Sequence, residues 1–281
     1  MKKQFLALTM AAMMAASLAG CSSKPAESAA AESTEAAKTE AAESGESAAA
    51  ESAAEVEMPK ADGGVLVMAT NAEFPPYEFY ENNQIVGIDV EIAQAIAEKL
   101  GMDLQIEDMA FDAIIPAVTS GKADFGAAGM TVTEDRKASV EFTETYANSN
   151  QVAIVKEDSE IKASDDLKGK LLGVQLGTTG DELAGKVEGA TVERYNKGLE
   201  AVQSLKQGKI DAVVIDQATA EAYVKNTDGI KLLEEKMSEE EYAIAIKKGN
   251  LELVEQMNTA IEELKSEGKI DEIVAKYQDA E

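Results

Sequence analysis

The chain has 281 residues, a formal net charge of −27, one cysteine and no histidine. The absence of histidine excludes Ser-His-Asp and Cys-His catalysis, and a single cysteine provides neither an intramolecular disulfide nor a soft-metal site. A chain this negative repels nucleic acids and anionic lipid headgroups. We therefore expect no nucleic-acid partner, no metal and no cofactor.

Residues 1–20 have the pattern of a secretory signal peptide. Two lysines precede an apolar run from Phe5 to Ala19, which is too short to cross a membrane comfortably, and small residues follow it. A membrane anchor is the alternative interpretation. The segment runs into "LAGCSS", which resembles the lipobox of bacterial lipoproteins, and this resemblance implies that Cys21 carries a diacyl lipid. It also implies an extracytoplasmic location at the membrane, on the cell surface in a single-membrane envelope and in the periplasm otherwise.

Residues 21–62 are predicted to form a flexible tether behind the lipid-bearing cysteine. From Ser22 to Asp62 the chain is mainly Ala, Ser, Thr and Glu, with ten acidic residues, three lysines and no aromatic residue. Such a segment cannot bury enough apolar surface to offset its chain entropy, and it has no apolar stripe with which a helix could dock. The tether leaves roughly 220 residues from Gly63 onward, enough for one domain of two lobes.

After the tether, the apolar pattern alternates between strand-like and helix-like segments. A continuous apolar run predicts a strand at 65–70, and "GIDVEIAQAIAEKLG" predicts a helix that ends at Gly101. The further predicted elements are a strand at 103–109, a helix at 111–121, strands at 123–128 and 170–176, a helix at 180–187, a strand at 190–195, a helix at 198–208 and a strand at 210–216. Strands without alternation that are separated by helices favour a parallel α/β sheet covered on both faces.

Two segments of the chain match each other closely. Residues 114–131 and 201–218 each contain an amphipathic helix, a Gly-Lys turn, an Asp and a buried strand. Two similar half-sheets predict two lobes of one design. Because ligands bind at the carboxyl ends of the strands in open α/β sheets, we expect a cleft between residues 129–136 of one lobe and Asp216 of the other.

The segment "GMTVTEDR" at 129–136 allows two interpretations. In the first, Thr133 caps a helix and Arg136 is solvated. In the second, Gly129 lets a ligand approach the backbone, Thr131 offers a hydroxyl and an N–H group, and Arg136 binds a carboxylate with its planar fork. The second interpretation makes the segment an anion site at the edge of a cleft.

The other lobe is expected to supply further donors and a carboxylate. "QLGTTGDELA" leads from a strand through Gly177 into a helix that begins near Thr178 or Thr179. Its free N–H groups attract anions, although an ordinary capped helix is the alternative. Asp216 closes a strand without a basic neighbour in sequence, which suits an ammonium group, and helix N-capping is equally common for Asp. An arginine and a carboxylate on opposing lobes describe a site for a free α-amino acid.

Two phenylalanines add aromatic surface near this cleft. Phe74 lies in "NAEFPPY", which follows the first strand, and Phe111 opens a helix. Core packing is the alternative role for both.

Four stretches resemble one known family: "GIDVEIAQAIAEKLG", "FDAIIPAVTSGKADFGAAGMTVTEDRK", "DLKGKLLGVQLGTTGDELA" and "GKIDAVVIDQATAEAYV". They are similar to the polar-amino-acid family of ABC-transporter substrate-binding proteins, the bacterial extracellular solute-binding proteins of family 3, and the similarity spans essentially residues 64 to 281. It implies a type II periplasmic-binding-protein-like α/β fold of two lobes joined by two hinge strands. The implied boundaries are 64–146 and 243–281 for lobe 1, 151–238 for lobe 2, and about 146–150 and 239–242 for the hinges.

The resemblance also implies how the two charges of an amino acid would be held. Arg136 would bind the α-carboxylate, helped by the N–H groups of Thr131 and Thr179. Asp216 and the carbonyl group of Gly129 would bind the α-ammonium.

Other positions would read the ligand side chain. Phe74 and Phe111 match the aromatic positions that sandwich it. Asn71 and Gln175 occupy side-chain-reading positions and favour a neutral polar ligand, whereas Glu73 beside the cleft leaves arginine or lysine open. The complete candidate set is Asn71, Phe74, Phe111, Gly129, Thr131, Arg136, Gln175, Thr178, Thr179 and Asp216.

The implied function is the capture of a free polar L-amino acid by lobe closure and its delivery to the permease of an ABC importer, by a monomer and without catalysis. A first alternative is an enzyme, because cyclohexadienyl dehydratases share this fold and Glu73 and Asp216 are candidate acid–base groups. A second alternative is a ligand-sensing or adhesion lipoprotein.

Overall fold

The computed structural model describes residues 63–278. The predicted signal peptide, Cys21 and the predicted tether lie outside the described residues, as do residues 279–281. Among the helices of the described range, none is long and apolar enough to cross a membrane.

Strands and helices alternate along much of the described chain. The strands are β1 (Val65–Thr70), β2 (Glu73–Phe74), β3 (Glu78–Glu81), β4 (Gln84–Val86), β5 (Asp103–Asp108), β6 (Phe125–Gly126), β7 (Val140–Phe142), β8 (Ala147–Ser149), β9 (Gln151–Lys156), β10 (Leu171–Gln175), β11 (Thr191–Tyr195), β12 (Ala212–Asp216), β13 (Ile230–Leu232), β14 (Glu240–Tyr242) and β15 (Ala245–Lys247). The helices are α1 (Ile88–Leu100), α2 (Phe111–Ser120), α3 (Glu134–Lys137), α4 (Thr179–Lys186), α5 (Gly198–Lys206), α6 (Gln217–Lys225), α7 (Leu251–Ser266) and α8 (Lys269–Gln278).

One five-stranded sheet has the order β5-β1-β6-β15-β7. In it β5, β1 and β6 are parallel, whereas β15 is antiparallel to both of its neighbours. Helices α1, α7 and α8 pack against one another, and α2 packs against β1, β6 and β15. We call this unit lobe 1. The small antiparallel sheet β2-β3-β4 contacts it through α1.

A second five-stranded sheet has the order β11-β10-β12-β9-β13, and we call it lobe 2 together with α4, α5 and α6. Here β11, β10 and β12 are parallel, whereas β9 is antiparallel to β12 and β13. The protein therefore has the expected two-lobed α/β fold, but the prediction of purely parallel sheets is wrong. The antiparallel strands β9 and β15 each follow a crossing between the lobes, so the chain enters the sheet from the edge at which the parallel strands end.

The chain crosses between the two sheets twice, at β8 and at β14. These two strands pair in antiparallel register, with Ala147 opposite Tyr242 and Ser149 opposite Glu240. Side chains from the two crossing strands therefore lie next to each other, although they are distant in sequence.

The predicted helix after Gly87 is confirmed, and its end has a clear local cause. Gly101 adopts a left-handed conformation (φ 66°), and its N–H donates to carbonyl groups of the last turn. Ile92 and Ile96 on α1 are buried against the sheet. The predicted strand at 123–128 is shorter than expected, because only Phe125 and Gly126 form β6.

The two similar segments occupy equivalent places in the two lobes. In lobe 1, β6 follows α2 and lies beside β1; in lobe 2, β12 follows α5 and lies beside β10. The ends of β6 and β12 thus reach the region between the lobes, where the polar residues of the sequence were expected.

Candidate ligand-binding site

A cavity lies between the lobes where the parallel strands end. The residues that line it are Asn71, Phe74, Glu78, Phe111, Ala128, Gly129, Thr131, Arg136, Gln151, Gln175, Thr178, Thr179 and Tyr242. Nine of the ten candidate residues are among them, so the structure brings these nine together around one space. The exception is Asp216.

Arg136 is held in the cavity by its own helix. The Thr133 hydroxyl oxygen accepts a hydrogen bond from the Arg136 N–H (3.2 Å) and caps α3, as the first interpretation predicted. The side chain is nevertheless not solvated, since Arg136 is 8% exposed. The cap and the buried guanidinium occur together, because the cap fixes the short helix that aims the side chain into the cavity.

The Arg136 guanidinium bonds to two backbone carbonyls from different lobes. Its Nη1 donates to the Thr131 carbonyl (2.8 Å) and its Nη2 to the Gly177 carbonyl (3.1 Å). It also lies over the Phe111 ring, 5.3 Å from the centroid. Burial lowers the pKa of Arg136, while the negative charge of Glu182 acts in the opposite direction. The group stays a cation, because arginine does not lose its proton in proteins, and carbonyl dipoles compensate that charge only in part.

The start of α4 faces the same cavity. Thr178 is its N-cap, because its hydroxyl oxygen accepts a hydrogen bond from the Asp181 N–H (3.2 Å), and Thr179 is the first helical residue. Both threonines line the cavity. Free N–H groups at a helix N-terminus favour negative charge nearby, so this end of α4 and Arg136 both present positive potential to the cavity.

The two phenylalanines expected near the cleft both line it. Phe74 is buried, and its ring stacks with that of Tyr77 at a centroid distance of 5.8 Å. Gly129 lies directly against Phe74, and a Cβ atom at this glycine would be 3.0 Å from the Phe74 ring. A side chain at position 129 would therefore meet the Phe74 ring, and the backbone there has a left-handed φ of 51°. The expected approach of a ligand to this backbone stays a prediction.

Asn71 and Gln175 meet across the cavity. Gln175 Nε2 donates to Asn71 Oδ1 (2.8 Å), and Asn71 Nδ2 donates to the Met109 carbonyl (2.7 Å). Both side chains are buried. Together with the Arg136 bond to the Gly177 carbonyl, this contact closes the lobes on each other, and a ligand between the lobes would have to replace such bonds.

Asp216 does not line the cavity, contrary to its expected place. It is fully buried and caps α6 by accepting a hydrogen bond from the Thr219 N–H (3.0 Å). Its other oxygen accepts from the Tyr242 hydroxyl (2.6 Å) and from the Ser149 hydroxyl. Burial raises the pKa of Asp216, and these hydrogen bonds oppose the shift. Asp216 thus lies behind Tyr242, which lines the cavity in its place.

Glu73 does not face the cavity either. Its carboxylate forms an ion pair with Lys197 of lobe 2, on a partly exposed surface where the lobes meet. This placement does not support the expectation that Glu73 faces a basic side chain of the ligand. Glu73 and Asp216, the candidate acid–base groups of the enzyme alternative, are both absent from the cavity lining.

Several residues of the site were not identified from the sequence. Gln151 is the first residue of β9, directly after the first crossing; Tyr242 ends the crossing strand β14, and Glu78 comes from β3. Glu240 lies just outside the lining; its Oε2 accepts from the hydroxyl groups of Thr131 (2.7 Å) and Thr179 (2.9 Å).

The sequence patterns around Glu240 and Glu78 are weak signals of a different kind. Glu240 stands in the run "EEE" at 239–241, which is typical of a solvated surface. Glu78 is an acid inside the aromatic stretch "PPYEFY", and a charge within an apolar run is a signal that could have found it.

Comparison with known proteins agrees with this geometry. Residues 66–280 match the family model of the bacterial extracellular solute-binding proteins, family 3. The chain belongs to this family. Membership of this extracellular family indicates an extracytoplasmic location. The signal peptide at residues 1–20 stays a prediction.

Curated relatives and solved structures show the same similarity. The arginine-binding extracellular protein ArtP of Bacillus subtilis (strain 168) is 36% identical over 218 residues, which cover 75% of this chain and 85% of the relative. The L-cystine-binding protein TcyJ of Escherichia coli (strain K12) is 32% identical over 219 residues, 76% of this chain and 82% of the relative. The structure of an ancestral arginine-binding protein bound to arginine is 45% identical, with a TM-score of 0.73 over 76% of this chain and 97% of that chain.

Proposed function

We propose that this solute-binding protein captures a free polar L-amino acid between its lobes and delivers it to an ABC importer. The observation that carries the proposal is the buried Arg136 cation, whose guanidinium faces the cavity and bonds only to carbonyl oxygens in the described structure. An α-carboxylate would supply a full negative charge to this cation and to the adjacent N-terminus of α4.

The relatives support an amino-acid ligand. They include arginine-, histidine- and L-cystine-binding proteins, and one ancestral protein was solved with arginine and with glutamine. Asn71 and Gln175 offer amide groups to a polar side chain, and Phe74 and Phe111 offer aromatic surface on either side of it. We therefore include both neutral and cationic polar amino acids in the proposed set.

The proposed contacts are strong enough for useful affinity. A dissociation constant of ~1 μM corresponds to roughly 8 kcal/mol. Hydrogen bonds to charged groups contribute about 1.5–3 kcal/mol each, so the two charged ends of the amino acid could provide much of this free energy. Only the closed form makes contacts from both lobes, so the ligand shifts the population towards it.

A thermal-shift screen tests the proposal. The chain from residue 22 onward is mixed in turn with each common L-amino acid, cystine and ornithine, and the unfolding temperature is measured. We expect a few polar amino acids to raise it, and we expect agmatine, which is arginine without its carboxylate, to have no effect. A screen in which none of the amino acids raises the unfolding temperature would reject amino-acid capture.

We further propose that binding occurs without chemical change. The named relatives are binding proteins, and the candidate acid–base groups Glu73 and Asp216 do not line the cavity. Prolonged incubation with the bound amino acid, followed by NMR of the solution, should return the amino acid unchanged. A new product that disappears in the Arg136→Ala variant would instead favour the enzyme alternative.

The lipid anchor at Cys21 is also a proposal. A single acyl chain binds membranes only marginally, whereas a diacyl group holds a protein stably at the surface, where it can meet a membrane permease. Cells that express Cys21→Ala should release the protein in soluble form, while the wild-type protein should incorporate labelled palmitate and sediment with membranes. Equal membrane association of the two proteins would contradict the anchor.

A further inference from the structure

Glu240 is a buried carboxylate that lies just outside the cavity lining. It is the first residue of the crossing strand β14 and is 7% exposed. This strand pairs with the other crossing strand, β8, and belongs to neither five-stranded sheet. The carboxylate therefore lies where the two lobes join, next to residues that line the cavity.

One oxygen atom of Glu240 accepts hydrogen bonds from both lobes. Its Oε2 accepts from the hydroxyl group of Thr131 in lobe 1 (2.7 Å), and from the hydroxyl group of Thr179 (2.9 Å) and Gln151 Nε2 (3.2 Å) in lobe 2. Its Oε1 accepts from the Ser238 hydroxyl (3.0 Å). An ionised carboxylate only accepts hydrogen bonds, so this set of donors suits it. Because two hydroxyl groups from opposite lobes bond to a single atom, the carboxylate holds them close together.

The two lobes are attached to β14 in different ways. On the side of lobe 1, Thr131 forms a backbone bridge with Tyr242, and the Val132 N–H donates to the Glu241 carbonyl (3.0 Å). On the side of lobe 2, the Thr179 hydroxyl reaches β14 through a side-chain hydrogen bond. Separation of the lobes would therefore break the bond to Thr179 before the backbone contacts of lobe 1.

On the basis of the proposed function, we propose that Glu240 is a positioning residue that couples capture of the amino acid to closure of the lobes. When the lobes are closed, its Oε2 holds the first residue of α4 against the segment that carries Thr131. The N-terminus of α4 and Arg136 then face the same ligand carboxylate. Glu240 lies outside the cavity lining and acts through the two threonines.

The negative charge of Glu240 could also affect the ligand through Arg136. Burial lowers the pKa of Arg136, and the negative charges of Glu182 and Glu240 oppose this shift. If charge were its main effect, Glu240 would compete with the ligand carboxylate for this cation, and removal of the charge would strengthen binding. A role as the acceptor that joins the lobes requires the opposite result when the acceptor is lost.

Two variants of Glu240 separate the charge from the acceptor. Glu240→Gln loses the charge but keeps an acceptor oxygen for the threonines, whereas Glu240→Leu loses both. Calorimetry of the chain from residue 22, with L-arginine or L-glutamine as the probe, should show binding weakened by about tenfold or more in Glu240→Leu and by less than about threefold in Glu240→Gln. Glu241→Gln is the matched control, because it neutralises an exposed side chain on the same strand, and it should stay within about twofold of the wild type.

Three results of this comparison would overturn the proposal. They are a loss below about twofold in Glu240→Leu, equal losses in the two variants, and a gain of about tenfold or more in Glu240→Gln. The last result would show that the charge of Glu240 opposes the ligand carboxylate.

Binding rates distinguish coupling to closure from a general loss of stability. The chain has no tryptophan and Tyr242 lines the cavity, so stopped-flow tyrosine fluorescence can follow binding of the probe. The contact to Thr179 belongs to the closed form, so Glu240→Leu should release the probe about tenfold faster while its association rate stays within about twofold of the wild type. A lower unfolding temperature with an unchanged dissociation rate would mean that Glu240 only stabilises the fold.

Thr179→Val tests the contact from the other side and does not depend on the folding of Glu240→Leu. It removes the hydroxyl group and keeps the backbone N–H. We expect it to raise the dissociation rate several-fold in the wild-type background but by less than about twofold in Glu240→Leu. An unchanged rate in Thr179→Val alone, or the same increase in both backgrounds, would reject the role of Glu240. Failure of the wild type to bind any amino acid would instead reject the proposed function itself.

Discussion

At the scale of single residues, the cavity depends on charges that are buried and incompletely compensated. Arg136 bonds to carbonyl groups from both lobes, and its guanidinium rests on the Phe111 ring. A full anion stabilises such a buried cation more than carbonyl groups do, because charge-assisted hydrogen bonds in a dry site are stronger than bonds to neutral dipoles. Under the proposed function, the capping of α3 therefore positions the group that binds the ligand carboxylate.

The first prediction concerns the truncation of this residue. Arg136→Ala should weaken binding of the amino acid by about 2–5 kcal/mol, because it leaves the ligand carboxylate buried without its cation. Calorimetry measures the loss. Lys197→Ala is the matched control, since it removes a partly exposed cation that also joins the lobes, and it should cost less than about 1 kcal/mol. A loss below about threefold in Arg136→Ala would mean that the guanidinium has no role in binding.

The sequence predicted much of the site at this scale, for a physical reason. Polar residues at the ends of buried parallel strands gather at one edge of a sheet, so Gly129, Arg136 and Gln175 could be placed near one another. The sequence could not tell which carboxylate reaches the cavity. Asp216 ends a strand as expected, but the Tyr242 hydroxyl, from a crossing strand, lies on it and separates it from the cavity.

At the scale of elements, the link from β10 to α4 controls how closely the lobes meet. Gly177 lies in this link with a left-handed φ of 77°, and a Cβ atom there would be 3.2 Å from the Asp112 Cβ of lobe 1. Its carbonyl group also accepts the bond from Arg136. Glycine at this position thus serves both the turn and the approach of the opposite lobe.

The second prediction separates these two roles. Gly177→Ala should lose about 1–2 kcal/mol of stability from the left-handed conformation and should also bind the amino acid several-fold more weakly, because the added methyl opposes closure. Gly229→Ala is the matched control: its φ is 83°, and a Cβ atom there would have nothing within 4 Å. It should show a similar loss of stability by chemical denaturation but unchanged affinity by calorimetry. Equal affinities of the two variants would contradict a role for Gly177 in closure.

The direction of the strands could not be predicted from the sequence pattern. A buried strand has apolar residues on both faces, so its pattern is the same whether it runs parallel or antiparallel to its neighbours. The directions of β9 and β15 follow from the crossings between the lobes. The small sheet β2-β3-β4 was missed because its strands are only two to four residues long.

At the scale of the whole molecule, the described residues that line the cavity all belong to the two-lobed part of the chain. The lining extends from Asn71 to Tyr242. The predicted tether precedes Gly63 and lies outside the described residues. Binding and attachment to a membrane should therefore be separable properties of this protein.

The third prediction tests this separation. A chain that begins at Gly63 should bind the amino acid with the same affinity as the chain from residue 22, within about twofold, by calorimetry. In cells, deletion of residues 22–62 with Cys21 retained should slow uptake, because the domain would reach fewer positions around its anchor. A large loss of affinity on deletion would show that the tether contributes to the site.

The fourth prediction concerns the stability of the ligand-free protein as a function of pH. The folded protein raises the pKa of Asp89 to about 7, mainly by burial, and it also raises the pKa values of Glu78 and Asp216. A raised carboxyl pKa means that the folded state binds more protons than the unfolded state in the window between about pH 4 and pH 7. Stability from these groups is therefore fully present at the acidic end of the window and is lost as the pH rises through the folded pKa.

We accordingly expect the unfolding temperature of the ligand-free protein to rise, by on the order of 5 °C, when the pH is lowered from about 8 to about 5. Glu91, whose pKa is lowered by its bonds to Lys276 and Tyr277 against the effect of burial, opposes this trend only at more acidic pH. Asp89→Asn is the diagnostic variant, because its amide oxygen can still accept from Gly129 while the titration is removed. Its profile should be flatter than that of the wild type, and parallel profiles would show that the acid stabilisation comes from the net negative charge of the whole molecule and not from the carboxyl groups beneath the cavity.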